Sequence, residues 1–143
     1  LGCFWSPQLE FEKIEGVKKA EVGYCGGDDP NTTYEKVCSG STNHAETIKV
    51  EFDEKIVSYE ELVKFFFKIH DPTQLNRQGP DIGTQYRSEI FYKDESQKKI
   101  AEKVKSEFNE KLKGKVVTNI SKEKLYQPAE EYHQYYLKRK NIL

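Results

Sequence analysis

From Ala45 to Asp53 the chain alternates without a break. Ile48, Val50 and Phe52 fall on one side, and Thr47, Lys49 and Glu51 on the other. Alternation with a period of two over this length describes a strand with one face in a core and the other in water. Just beyond it, Ser58-Tyr59-Glu60-Glu61 spells a capping box, with Ser58 as N-cap and Glu61 at the third helical position. The helix it opens carries Leu62, Phe65, Phe66 and Ile69 at helical spacing and ends near His70-Asp71-Pro72. A half-buried strand running straight into an amphipathic helix restricts the chain to folds that lay helices on a sheet.

The flanking segments fit that frame. Cys3 to Glu15 reads as a helix, with Pro7 in its first turn and Gly16 as its stop. Ala20 to Tyr24 reads as a strand, and Gly26-Gly27-Asp28-Asp29-Pro30 as a loop. Residues 71–87 form a long loop of the kind that usually carries function. Ser88 to Tyr92 is a strand. Asp94 opens a helix with Ile100, Val104, Phe108 and Leu112 as its buried stripe and Gly114 as its end. Val116 to Ile120 is a short strand, and Ala129 to Arg139 a final helix. The order predicts a two-layer α+β domain spanning residues 1–143, with helices packed against a mixed sheet. It also leaves a place for a strand ahead of Leu1, and a chain that starts without Met reads as trimmed at its start.

Lys and Arg total 23 against 24 Asp and Glu, so no basic field for nucleic acid is expected. The longest apolar run, Phe65-Phe66-Phe67, cannot span a bilayer, and no signal-peptide pattern is visible. Cys3, Cys25 and Cys38 contain no CxxC, which argues against a disulfide framework and for a reducing compartment, the cytoplasm. Cys25, Cys38 and His44 lack zinc spacing, so no metal site is expected.

Three places could carry chemistry. Cys3 precedes Phe4-Trp5 at a helix start, where backbone N–H groups favour a thiolate and two aromatics can build an apolar slot. A buried Cys acting as a small hydrophobe is the alternative. In Asn43-His44-Ala45-Glu46, a partly buried Glu46 would keep its proton to near-neutral pH, whereas a solvated strand-edge Glu would not. His44 reads as a hydrogen-bonding group rather than a base. The stretch Gly79 to Ser88 packs Asp81, Tyr86 and Arg87 into a tight loop, and Tyr34 offers a second phenol.

Taken in order, Gly2-Cys3-Phe4-Trp5, Glu21 to Gly27, Thr33 to Cys38, His44-Ala45-Glu46, His70-Asp71-Pro72-Thr73 and Gly83 to Ser88 closely resemble the type A peptide methionine sulfoxide reductases. Tyr132-His133-Gln134 is similar to that family's closing segment. The resemblance implies an α+β sandwich related to the ferredoxin-like plait. It implies reduction of the S epimer of methionine sulfoxide, free or in proteins, to methionine. By the same resemblance, Cys3 is the nucleophile and Phe4 and Trp5 wall the S-methyl pocket. Glu46 protonates the sulfoxide oxygen, Tyr34 and Tyr86 hydrogen-bond it, and Asp81 helps to hold water. No cofactor is bound. The reductant is an external thiol such as thioredoxin, glutaredoxin with glutathione, or dithiothreitol, and the protein is expected to work as a monomer.

The chain departs from the family in its thiols. No Cys follows Cys38, and Ser6 stands where some members have a Cys. Cys25 could resolve a Cys3 sulfenic acid if its loop reaches. An external thiol or a cysteine beyond Leu143 could do the same, and the single-cysteine route is the one preferred.

Overall fold

A computed structural model describes residues 1–137. The elements in order are α1 (Trp5–Glu12), β1 (Val17–Cys25), α2 (Tyr34–Cys38), β2 (Ala45–Phe52) and α3 (Tyr59–Lys68). There follow β3 (Arg77–Gln78), β4 (Asp81–Ile82), a 3₁₀ turn (Thr84–Tyr86), β5 (Glu89–Tyr92) and α4 (Glu95–Lys111). β6 (Asn119–Lys122), β7 (Gln127–Pro128) and a second 3₁₀ turn (Glu131–His133) complete the described chain. β1 lies between β2 and β7, antiparallel to both, while β5 and β6 pair in parallel. The expected α+β class with a mixed strand arrangement is what forms.

The alternating segment is β2, and its register with β1 pairs Val50 with Ala20, Ile48 with Val22 and Glu46 with Tyr24. Side chains two apart share a face. Glu46 therefore stands on the apolar face of Ile48, Val50 and Phe52, not on the wet one. At the other end of that face, Phe11, Ala20, Val57, Leu62, Val63, Phe66, Phe67 and Val104 form the main core. α3 packs on α4 there, with Ser58 Oγ accepting the Glu61 N–H (3.1 Å) as the capping box predicts. A groove of about 510 Å³ runs along the β2 edge toward β5, lined by Ile48, Val50, Leu62, Phe66 and Ile90.

Several predicted boundaries move. α1 begins at Trp5, so Cys3 lies ahead of the helix, with Phe4 as a cap that has no side-chain bond. β1 is longer than predicted because Lys18 and Lys19 extend it as an exposed end. α2 is unforeseen; Thr33 caps it by accepting the Lys36 N–H. The long loop contains the β3–β4 hairpin and the Tyr86 turn. The strand expected over Val116 to Ile120 forms two to three residues later, as β6. The final helix over Ala129 to Arg139 is corrected most. Through Tyr135 it is a 3₁₀ turn (Glu131–His133) and a further turn at Gln134-Tyr135, helix begins only at Tyr136, and residues 138 and 139 lie outside the described part. The reason is Gln134. Its side-chain amide accepts from the Val22 N–H (3.1 Å) and donates to the Val22 carbonyl (2.9 Å), taking the place of a strand against β1.

Candidate active site

Phe4 is the hinge of the site. Its ring is 1% exposed and packs with Val22, Tyr24, Val37 and Ala129 in a second core. Its backbone N–H, next in sequence to Cys3, donates to Glu46 Oε1 at 3.2 Å. The bond spans 42 positions of sequence and sets the acid beside the cysteine's own backbone. Glu46 is 3% exposed, and its Oε2 has no hydrogen-bond partner among the described residues. Burial raises its pKa to about 7, opposed by the Phe4 N–H and reinforced by Asp81. A carboxyl that keeps its proton to neutral pH is what a general acid needs.

Cys3 corrects an expectation. Proximity to a helix start does not make it a resting thiolate. Burial pushes the thiol up to about 12, the Trp5 N–H pulls it back only in part, and the Glu46 and Asp81 carboxylates add to the rise. Burial outweighs the helix start because segments distant in sequence withdraw the sulfur from water. Cys3 lines a small cavity of about 240 Å³ with Ser6, His70, Gln78 and Asp81. Asp81 reaches this place on β4, at the hairpin.

The phenols come from two turns. Tyr34 opens α2, and its backbone N–H donates to Glu130 Oε2 (3.0 Å). Tyr24, beneath Phe4, donates its hydroxyl to Glu130 Oε1 (2.7 Å). Burial pushes the Glu130 carboxyl up, but these bonds outweigh it and hold the pKa below the ordinary value. Tyr86 closes the first 3₁₀ turn, and burial beside Glu46 pushes its phenol up to about 12. Tyr34 is raised as well, by burial first and then by its side-chain bond to Cys38. Both phenols therefore remain donors at neutral pH. The turn holding Tyr86 needs Gly83. Its φ is +144°, and a Cβ there would lie 2.2 Å from Gln85 Oε1.

Trp5 is half-buried, stacked on Tyr136 (4.0 Å between ring centres), and its indole N–H donates to His133 Nδ1 (3.1 Å). His133 is 3% exposed and lies tilted against the Tyr34 ring (4.2 Å between ring centres). These contacts make Trp5 a fixed wall. His133 and Gln134 stand out in the sequence, but their contacts do not. Tyr24 and Glu130 are not marked there beyond a tyrosine in a buried strand and a glutamate among tyrosines.

The remaining candidates separate. His44 is structural: Nδ1 accepts the Gly27 N–H (3.0 Å), leaving Nε2 to donate to the Asp29 carbonyl (2.6 Å). Gly27 permits this approach, since a Cβ would meet the His44 ring at 2.6 Å. Cys25 is 1% exposed at the end of β1, its thiol donating to the Lys124 carbonyl (3.3 Å). Burial raises its pKa and that of Cys38. No group of three His, Cys, Asp or Glu converges as a metal site among the described residues.

The arrangement sets a thiol next in sequence to the N–H that holds a buried carboxyl with its pKa raised to about 7, and places two phenols and an aromatic stack on neighbouring elements. A profile of the peptide methionine sulfoxide reductase family matches residues 1–142. The peptide methionine sulfoxide reductase MsrA of Pelagibacter ubique is 61% identical over 140 residues, covering 98% of this chain and 95% of that protein. The structure of reduced Mxr1 from Saccharomyces cerevisiae superposes with a TM-score of 0.92 at 40% identity, covering 98% of this chain and 82% of Mxr1. Mxr1 in complex with Trx2 gives a TM-score of 0.67 at 26% identity, covering 94% of this chain and 78% of that one.

Proposed function

The chain belongs to the peptide methionine sulfoxide reductase family, and from that premise we propose how its residues divide the reduction of methionine sulfoxide to methionine. Cys3 attacks the sulfoxide sulfur as a thiolate. The Glu46 carboxylic acid gives its proton to the sulfoxide oxygen, which becomes the hydroxyl of a Cys3 sulfenic acid as methionine leaves. Tyr34 and Tyr86 donate to the same oxygen while its charge grows, and Asp81 holds water at the cavity. Phe4 and Trp5 enclose the S-methyl group, which selects the S epimer by shape. The substrates are free methionine sulfoxide and oxidised proteins.

The observation that supports this division is the bond from the Phe4 N–H to Glu46 Oε1 (3.2 Å), with Oε2 left unbonded. One backbone step separates the nucleophile from the N–H that holds the acid, and the acid's second oxygen has no partner among the described residues that a ligand would have to displace. The engaged, buried thiol of Cys25 favours regeneration by an outside thiol. Trx2 on Mxr1 suggests that this thiol belongs to a thioredoxin, with glutaredoxin and glutathione as substitutes. The setting we propose is the reducing cytoplasm and the working form a monomer.

The test is a single turnover with methionine-S-sulfoxide, no reductant, and mass analysis of the protein. One methionine per chain with a sulfenic acid trapped on Cys3 is expected. A Cys3–Cys25 disulfide would replace the external-thiol step, and methionine production by Cys3→Ser would remove Cys3 from its role.

A further inference from the structure

Arg87 follows Tyr86 directly, and its guanidinium points in three directions at once. Nη1 donates to the carbonyl of Thr84, the first residue of the Tyr86 turn (2.9 Å). Nη2 donates to the carbonyl of Asn43, three residues before Glu46 (2.9 Å). Nε pairs with Glu89 Oε1 on β5 (2.5 Å). Glu89 is anchored in turn by the hydroxyl of Ser121 on β6. The backbone carbonyl of Arg87 accepts from the Leu1 nitrogen (3.1 Å), two residues from Cys3. One residue therefore touches the segments that carry the nucleophile, one phenol and the acid, and ties them to the β5–β6 pair.

The Asn43 contact has a particular value. Asn43 holds a left-handed φ of +61°, a conformation uncommon for non-glycine residues but one that Asn adopts more readily than most. Its side chain is fixed to Asp28 (3.0 Å) and its carbonyl to Arg87. That conformation turns the chain into β2 and so sets where its first rungs, Ala45 opposite Cys25 and Glu46 opposite Tyr24, begin.

We propose that Arg87 is a positioning residue for the reduction step, fixing the separation between the Tyr86 phenol and the Glu46 carboxyl. The inference rests on the roles given above to Tyr86 and Glu46. Lysine cannot replace it, because an ammonium is one point charge and lacks the planar fork that reaches three acceptors. Lysine does keep a cation near Glu89, so Arg87→Lys removes the geometry while leaving the charge.

The experiment is a double-mutant cycle on the full chain. It measures single-turnover methionine release from methionine-S-sulfoxide for the wild type, Arg87→Lys, Tyr86→Phe, Glu46→Gln and the two doubles containing Arg87→Lys. The loss expected for Arg87→Lys at saturating substrate is about 10–100-fold, the scale of a reacting group displaced by about 1 Å. That loss should shrink to about 3-fold or less in the Tyr86→Phe and Glu46→Gln backgrounds, because a bracket for two groups has little to hold once they are disabled. The same loss in every background would mean that Arg87 only props the fold, and would overturn the proposal; so would a full wild-type rate for Arg87→Lys. If Arg87→Lys fails to fold by circular dichroism, Glu89→Gln frees the guanidinium on one side and takes its place in the cycle. A wild-type chain that releases no methionine would instead overturn the reading of Cys3 and Glu46, and this inference with it. Wild-type turnover with an additive cycle would overturn the inference alone.

Discussion

One face of β1 serves two cores, and they differ in kind. Around Ala20 the buried neighbours are hydrocarbon: Phe11, Leu62, Val63, Phe66 and Val104. Around Val22 and Tyr24 the packing is equally tight, but Glu46, Tyr34, Trp5 and His133 are set among the apolar side chains. The change takes place along three alternate rungs of the β1–β2 ladder, which share one face: Ala20 with Val50, Val22 with Ile48 and Tyr24 with Glu46. The apolar stripe ends here in a carboxyl group, at the point where Phe4 offers it one N–H and none of the described residues bonds its other oxygen. The first core stabilises the domain, and the second spends part of that stability on holding a proton at Glu46.

If that contrast is right, substitutions at the two ends should show up in different measurements. Cys3→Ser removes the nucleophile, and methionine release should vanish in a single-turnover assay while the thermal transition stays in place. Glu46→Gln should slow sulfenic acid formation by about 100-fold or more, read by trapping the Cys3 product. The pH profile sharpens this. The reactive pair, a protonated Glu46 and a Cys3 thiolate, carries one proton, as does the commoner pair of thiol and carboxylate. With pKa values of about 7 and about 12, the rate should climb tenfold per pH unit up to about 7 and run level above it. In Glu46→Gln the plateau should disappear and the slower rate should go on rising with pH. A wild-type rate that falls above pH 7 would mean that bound substrate has already ionised Cys3.

Stability gives a smaller signal at the same residue. Between pH 4.5 and about 7 the folded chain keeps a proton on Glu46 that the unfolded chain releases. Stability therefore declines as pH rises through that window, by about 3 kcal/mol at about 1.4 kcal/mol per pH unit, and is unaffected by Glu46 above it. Comparing urea denaturation of wild type and Glu46→Gln across this range should isolate the slope. In the hydrocarbon core, Phe66→Ala should cost about 3–5 kcal/mol of stability. The rate per folded molecule should move least of all, within about 2-fold at a temperature where both proteins are folded. A large loss of rate there would merge the two regions into one.

What could be read from the sequence follows the same division. β2 and α3 were legible because alternation and a capping box are local signals, and Ser58 and Ile48 behave as their neighbours dictate. The burial of Glu46 was half legible: it continues the Ile48–Val50–Phe52 face by period two, but only register with β1 and cover by Phe4 withdraw it from water. α2 was missed because its five residues are too few for a periodic stripe, leaving only the Thr33 cap to announce it. Residues 129–135 were misread because their pattern suits a helix, while Gln134 finds its partners at Val22, 112 positions away. The Cys3 thiol was misjudged for a related reason. A helix start is visible in sequence, and the burial that outweighs it is not.

The unbonded Oε2 of Glu46 has a consequence for what happens after the chemistry. A sulfoxide brings an oxygen that can accept the proton this buried atom carries, whereas the methionine left behind is a thioether with no such oxygen. Binding substrate satisfies the carboxyl; after the step the oxygen stays on Cys3 as the sulfenic hydroxyl, and the methionine itself offers Glu46 no partner. An unmet buried hydrogen bond costs about 1–3 kcal/mol, which corresponds to roughly 5–150-fold between the two ligands. On the roles proposed for Cys3 and Glu46, the same carboxyl that protonates the oxygen would favour sulfoxide over repaired methionine, and so favour release of the product.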